Sequence, residues 1–127
     1  MKDEKSQIQR AKEIAMLAAS TLDNKKGMDV TTLEVGEQTV LADYFVLATG
    51  TSNTHVRALA DEVEFQLKEQ LGVEPNHIEG AAGNAWTLLD YGSVVVNVFT
   101  SQARDFYKLE RLWNGAEVIT PDSEDEE

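Results

Sequence analysis

Gly50-Thr51-Ser52-Asn53 is the first place along the chain where residue types and spacing invite chemistry. It lies between a strand-like run and a helix-like run. Backbone N–H groups and the helix dipole can hold a phosphate there. Neither GxxxxGK[ST] nor GxGxxG is present, however, and Thr51, Ser52 and Asn53 are all capping types that explain the loop without a ligand. Nucleotidyl transfer would further require paired carboxylates to hold divalent metals. The later strands offer Asp90 alone, with no Asp-x-Asp. His55 and His77 are the only histidines, and they form no His-x3-His pair. No Gly-x-Ser-x-Gly elbow accompanies them. Cysteine is absent, which excludes thiol catalysis, disulfides and cysteine-ligated metals. The residues therefore imply neither a metal nor another cofactor, and an enzyme is disfavoured. A nucleotide-binding transferase using Gly50–Asn53 and Asp90 stays as the alternative.

Recognition is better represented. Six of the nine aromatic residues fall between Trp86 and Trp113, interleaved with Asp90, Arg104, Asp105, Glu110 and Arg111. A core needs the apolar members of this set but not the polar ones. Aromatic and Arg-rich clusters are where interfaces concentrate binding energy. Asp90 and Tyr91 end a strand, where side chains reach solvent from a rigid base.

The chain has 127 residues and a formal net charge of −12. That length suits one domain able to bury its own core. The acidic balance, with Lys25-Lys26 as the longest basic run, disfavours extensive nucleic-acid contact. A basic protein partner suits it, because opposite potentials speed encounter, but solubility alone is the simpler account of the charge. No apolar run approaches the ~20 residues of a membrane span, and the N-terminus has no apolar signal region. A cytoplasmic protein is the simplest reading.

These residues must be positioned by alternating helices and strands. Ile8, Ala11, Ile14, Ala15, Ala18 and Leu22 repeat at helical spacing, with Ser6 as N-cap and Gly27 as the C-terminal glycine. Val30–Val35 reads as a strand with Gly36-Glu37 as its turn, and Tyr44–Thr49 as a second strand, buried on both faces. A helix after Thr51-Ser52-Asn53 carries the stripe Val56, Leu59, Ala60, Val63, Leu67 and Leu71, closed by Gly72. His77–Glu79 is a short edge strand and Gly80–Gly83 is flexible. Trp86–Asp90 and Val94–Phe99 form a hairpin across Tyr91-Gly92-Ser93. A last helix runs from about Arg104 to Trp113, with Phe106, Leu109 and Trp113 on one face and Asn114-Gly115 as its stop. Residues 1–119 form the domain, and 120–127 a disordered acidic tail. The fold class is α/β: a mixed, about five-stranded sheet flanked by helices, with the Tyr44 strand, the Val56 helix and the next strand as a right-handed crossover.

Three segments, ADYFVLATGTSN (Ala42–Asn53), WTLLDYGSVVVNVF (Trp86–Phe99) and ARDFYKLERLW (Ala103–Trp113), resemble the ribosomal silencing factor family, also called RsfS or Iojap-related. The match runs from about Ile8 to Val118, in the family's order and spacing. The resemblance implies a nucleotidyltransferase-like α/β domain without catalytic residues, acting as a non-enzymatic translational repressor. It implies docking on a basic protein of the large ribosomal subunit (the one numbered fourteen) at the subunit-joining face. Occupying that face blocks the small subunit under nutrient limitation, and organellar relatives act in large-subunit assembly. Partner-binding roles then fall to Trp86, Asp90, Tyr91, Arg104, Tyr107 and Glu110, followed by Asp43 and Tyr44. Ser93, Asn97 and Thr54-His55 depart from the family's usual residues and receive no role. A homodimer formed through the aromatic surface is a third option for the free protein, since an exposed apolar patch invites self-association.

Overall fold

The computed structural model describes residues 4–35, 42–80, 85–103 and 117–119. The Gly36-Glu37 turn, most of the Gly80–Gly83 stretch, the body of the Arg104–Trp113 helix with its Asn114-Gly115 stop, and the 120–127 tail lie outside them.

Helix α1 spans Glu4–Asn24 and presents Ala11, Ile14, Ala15, Ala18 and Leu22 to the core. Ser6 is not its N-cap: the helix is already running at Glu4, because Glu and Lys are good helix formers and nothing interrupts them. The left-handed residue after it is Lys26, at φ +70°, rather than Gly27. Gly27 is required for space instead, since a Cβ there would lie 2.8 Å from the Leu22 carbonyl oxygen.

Strands β1 (Met28–Glu34), β2 (Tyr44–Gly50), β3 (His77–Gly80), β4 (Trp86–Asp90), β5 (Val94–Thr100) and β6 (Glu117–Ile119) form one mixed sheet in the order β3-β4-β5-β2-β1-β6. The five expected strands are all present, and the three-residue β6 extends the sheet beside β1. β2 and β5 are parallel; the other neighbours are antiparallel. The expected β-α-β crossover is present: β2 leads through helix α2 (Asn53–Leu71) to β3, which runs parallel to it at the sheet edge, with β5 and β4 lying between them. Val94, Val95, Val96 and Val98 supply the apolar side chains able to fill a central strand, whereas His77–Gly80 is exposed throughout.

Both helices pack on one face. Val56, Leu59, Ala60, Val63 and Leu67 of α2 join the α1 stripe over Val46, Ala48, Leu89, Val94, Val96 and Val98. Ser52 caps α2 by accepting from the His55 N–H at 3.1 Å, and Gly72 closes it at φ +67°. Gly50 lets β2 pass directly beneath the first turn of α2, where a Cβ would stand 2.9 Å from Val56 Cγ2. Alternation along the strands sends Leu33, Leu47 and Phe99 to the far face, where they cluster with Val35. Among the described residues no helix is long and apolar enough to cross a membrane.

Candidate partner-binding face

The far face carries the polar and aromatic candidates. Trp86 pairs with Phe99 and Leu88 with Asn97, so period-two alternation puts Trp86, Leu88 and Asp90 of β4 on one side. Asn97 and Phe99 of β5 and Phe45 and Leu47 of β2 share it. Phe99 and Leu47 are buried, whereas Trp86, Leu88, Asp90, Val95 and Phe45 are half-exposed. Ala103, within a helical turn at 101–103, packs against this cluster. Thr100 starts that turn by accepting from the Ala103 N–H at 3.2 Å.

Two polar interactions hold the face in shape. Trp86 donates its indole N–H to Asn97 Oδ1 at 3.4 Å. Asn97 is only 1% exposed, so this acceptor serves a bond inside the face rather than a docking contact. Asp90 Oδ1 accepts from the Gly92 N–H at 2.8 Å, an Asx turn that closes the hairpin with Gly92 at φ +87°. Tyr91 N–H donates to the Val94 carbonyl at 2.8 Å. At the same end of the sheet, the N–H groups of Asp43 and Tyr44 both reach the Ser93 carbonyl, at 2.7 and 3.1 Å. The fold thus gathers Asp43, Asp90 and the hairpin tip at one end of the face, with Trp86 at the other end of β4.

Tyr91, expected to reach solvent, and Tyr44, given a partner-binding role, are both buried. Tyr44 is 4% exposed and Tyr91 7%, and both side chains join the helix-side core. Tyr44 pairs with Val94, which sends it under the helices, and Tyr91 turns inward once β4 ends. The Tyr91 hydroxyl is buried without a hydrogen-bond partner among the described residues. Burial, reinforced by the negative charge of Glu64, pushes its pKa far above the ordinary phenol value. Arg104, Tyr107 and Glu110 lie outside the described residues.

Sequence reasoning passed over Phe45, Leu88 and Val95, which share the face with Trp86 and Asp90. The signal was weak: WTLLD and VVVNVF are apolar on both faces, so choosing a face requires the strand register.

The Gly50–Asn53 loop is engaged with its own helix. Thr51 donates its N–H to His55 Nδ1 at 2.9 Å, Ser52 Oγ accepts from the His55 N–H, and the Val56 N–H goes to the Ser52 carbonyl. Three of the amides that a phosphate would require thus have internal acceptors. Among the described residues no group of three or more His, Asp or Glu is placed to hold a metal ion.

The family model described as "Ribosomal silencing factor during starvation" matches residues 8–127. A ribosomal silencing factor RsfS from Chromobacterium violaceum is 42% identical over 103 residues, covering 81% of this chain and 84% of that protein. The Bacillus subtilis protein of the same name is 36% identical over 111 residues, covering 87% and 93%. A mouse protein named for mitochondrial assembly of the ribosomal large subunit is 31% identical over 103 residues, covering 80% of this chain and 45% of its own. A crystal structure from Chromobacterium violaceum superposes with a TM-score of 0.77 at 41% identity, covering 81% of this chain and 85% of that one.

Proposed function

The chain belongs to the ribosomal silencing factor family, and from that premise we propose that it is a non-enzymatic translational repressor of the cytoplasm. It binds the large ribosomal subunit through a basic ribosomal protein, large-subunit protein fourteen, at the subunit-joining face. Bound there, it keeps the small subunit away by steric exclusion under nutrient limitation. A role in large-subunit assembly belongs to the same reading, in keeping with the name of the mouse relative.

The observation that carries this reading is the far face. Trp86, Leu88, Val95 and Phe45 form a half-exposed apolar row on a rigid sheet, ending at the acidic pair Asp90 and Asp43. Apolar anchors beside carboxylates suit a basic protein surface better than a small-molecule substrate, which is usually held in a concave pocket. The net charge of −12 favours encounter with such a partner. The internal engagement of the Gly50–Asn53 loop weighs against the nucleotide-binding transferase. Self-association through the same face is compatible with this function and is read by light scattering.

Co-sedimentation with isolated large and small subunits, followed by subunit joining on a sucrose gradient, tests the proposal. Silencing predicts binding to the large subunit alone and fewer joined ribosomes. Binding without a joining defect assigns the protein to assembly instead. Absence of binding to either subunit overturns the function and makes a nucleotide-dependent thermal shift the next measurement.

A further inference from the structure

Among the strands whose burial is described, β3 is the least covered. All four of its residues are exposed, with Ile78 at 49%, and among the described residues no strand lies beside its outer edge. Such an edge presents a row of N–H and C=O groups to any extended chain that approaches. On the helix side, a groove of about 330 Å³ separates β3 from α2. It is lined from α2 by Arg57, Asp61 and Glu64, and from the sheet by Ile78, Thr87 and Leu89.

A strand laid beside β3 would send its side chains alternately to the two faces. Those on the helix side would enter the groove beside Ile78, facing Asp61 and Glu64. Those on the far side would meet Glu79, which shares that side with Leu88 through their register pairing. Carboxylates outnumber cations on both sides. Among the described residues here, Asp61, Glu64 and Glu79 stand against one permanent cation, Arg57, which lies 3.8 Å from Asp61, and Glu79 also contacts the His77 ring at 2.6 Å. Main-chain hydrogen bonds would supply affinity, and the flanking side chains would supply selectivity.

We propose that the β3 edge, with its groove against α2, is a second docking site that takes an extended basic peptide segment by strand addition. Its occupant alternates apolar residues, which fit against Ile78 and Leu89 in the groove, with lysine or arginine for Glu79 on the far side; Asp61 and Glu64 of α2 add attraction at longer range. The site is independent of subunit binding through the far face, so either can fail without the other.

The test is a titration of the ¹⁵N-labelled full chain with an acetylated, amidated octapeptide of alternating lysine and valine. A second peptide of the same sequence, N-methylated at alternate residues, cannot complete the strand hydrogen bonds. The expected result is amide shifts at residues 77–80 and 57–64, with about tenfold weaker binding of the methylated peptide. Ile78→Lys should weaken the first peptide by a similar factor, and Glu79→Lys should do so without altering the edge backbone. Both residues are exposed, so the thermal midpoint should hold. Equal binding of the two peptides would overturn the proposal by reducing it to charge attraction. Shifts centred on Trp86 and Asp90 would also overturn it. So would a free chain that is a dimer by light scattering and becomes a monomer on Ile78→Lys, since a second copy would then occupy the edge.

Discussion

The His55 imidazole donates from Nε2 to the carbonyl of Lys25 at 3.0 Å, tying the start of α2 to the end of α1. The roles of the two ring nitrogens follow from their partners. The Thr51 N–H can only donate, so Nδ1, 2.9 Å away, accepts; the Lys25 carbonyl can only accept, so Nε2 carries the proton. At the opposite end Arg10 Nη2 donates to the Leu71 carbonyl at 2.7 Å, satisfying one of the last acceptors of α2. The two links span opposite ends of an antiparallel helix pair, whose apolar stripes fill the space between.

Replacing His55 with alanine removes the ring's contacts to Thr51 and Lys25 and should cost about 1–2 kcal/mol of unfolding free energy. Lys12→Ala, at an exposed position of α1, supplies the baseline, with an expected change within about 0.5 kcal/mol. Urea denaturation measures both. Equal losses would mean that the corner is held by packing alone.

Tyr91 offers a stability test with a definite sign. Its hydroxyl is buried and has no partner among the described residues, so Tyr91→Phe removes a polar group from the core without opening a cavity. The expected outcome at neutral pH is no loss, or a gain of up to ~1 kcal/mol. The alkaline limb should change as well. The folded pKa is raised above the ordinary value of 10.0, so the folded state retains the phenolic proton after the unfolded chain has released it. Stability from this group is complete below pH 10 and declines as the pH rises from there towards the raised value. Tyr91→Phe should flatten that decline in thermal unfolding between pH 9 and 11. An unchanged slope would place the alkaline sensitivity elsewhere.

Much of this architecture was legible because the α2 stripe and the Ser52 and Gly72 caps are local signals. The Trp86–Asp90 strand was found to the residue, since Asp-Tyr-Gly-Ser closes a hairpin by short-range rules. What stayed hidden depends on register and on distant neighbours. Tyr91 and Asp90 are adjacent in sequence, yet one enters the core and the other faces outward, and only the way the hairpin folds decides between them. Asn97 looked like a departure from a pattern; its role as acceptor for Trp86 needs the pairing of β4 with β5. β6 has three residues, too few for alternation to register.

The end of α1 inverts the usual division of labour between glycine and its neighbour. Lys26 holds the left-handed conformation that glycine adopts at no steric cost, so Lys26→Gly should stabilise the fold by a few tenths to about 1 kcal/mol. Gly27→Ala would press a methyl group within 2.8 Å of the Leu22 carbonyl oxygen, against backbone that cannot swing aside. A loss of about 1–3 kcal/mol is expected. Chemical denaturation of the two variants should therefore move in opposite directions. Stabilisation by Gly27→Ala would contradict the assigned geometry.

On the proposed function, substitutions on the two sides of the sheet should differ in their effect on large-subunit binding. Trp86→Ala truncates the largest half-exposed side chain of the far face and should weaken large-subunit binding at least about tenfold, as removal of a central aromatic anchor does. Phe65→Ser is the matched control: Phe65 is 57% exposed, but it sits on α2, on the other side of the sheet, and its loss should leave binding unchanged. Trp86→Phe is informative between them. It keeps an aromatic body at the surface but deletes the N–H donated to Asn97, leaving a buried acceptor unpaired. If the ring itself makes the contact, Trp86→Phe should lose stability while retaining most of the affinity. If the Asn97 bond fixes the ring in its binding orientation, affinity should fall with it. Quantitative co-sedimentation read beside urea unfolding separates the two, and full affinity in Trp86→Ala would remove the far face as the docking surface.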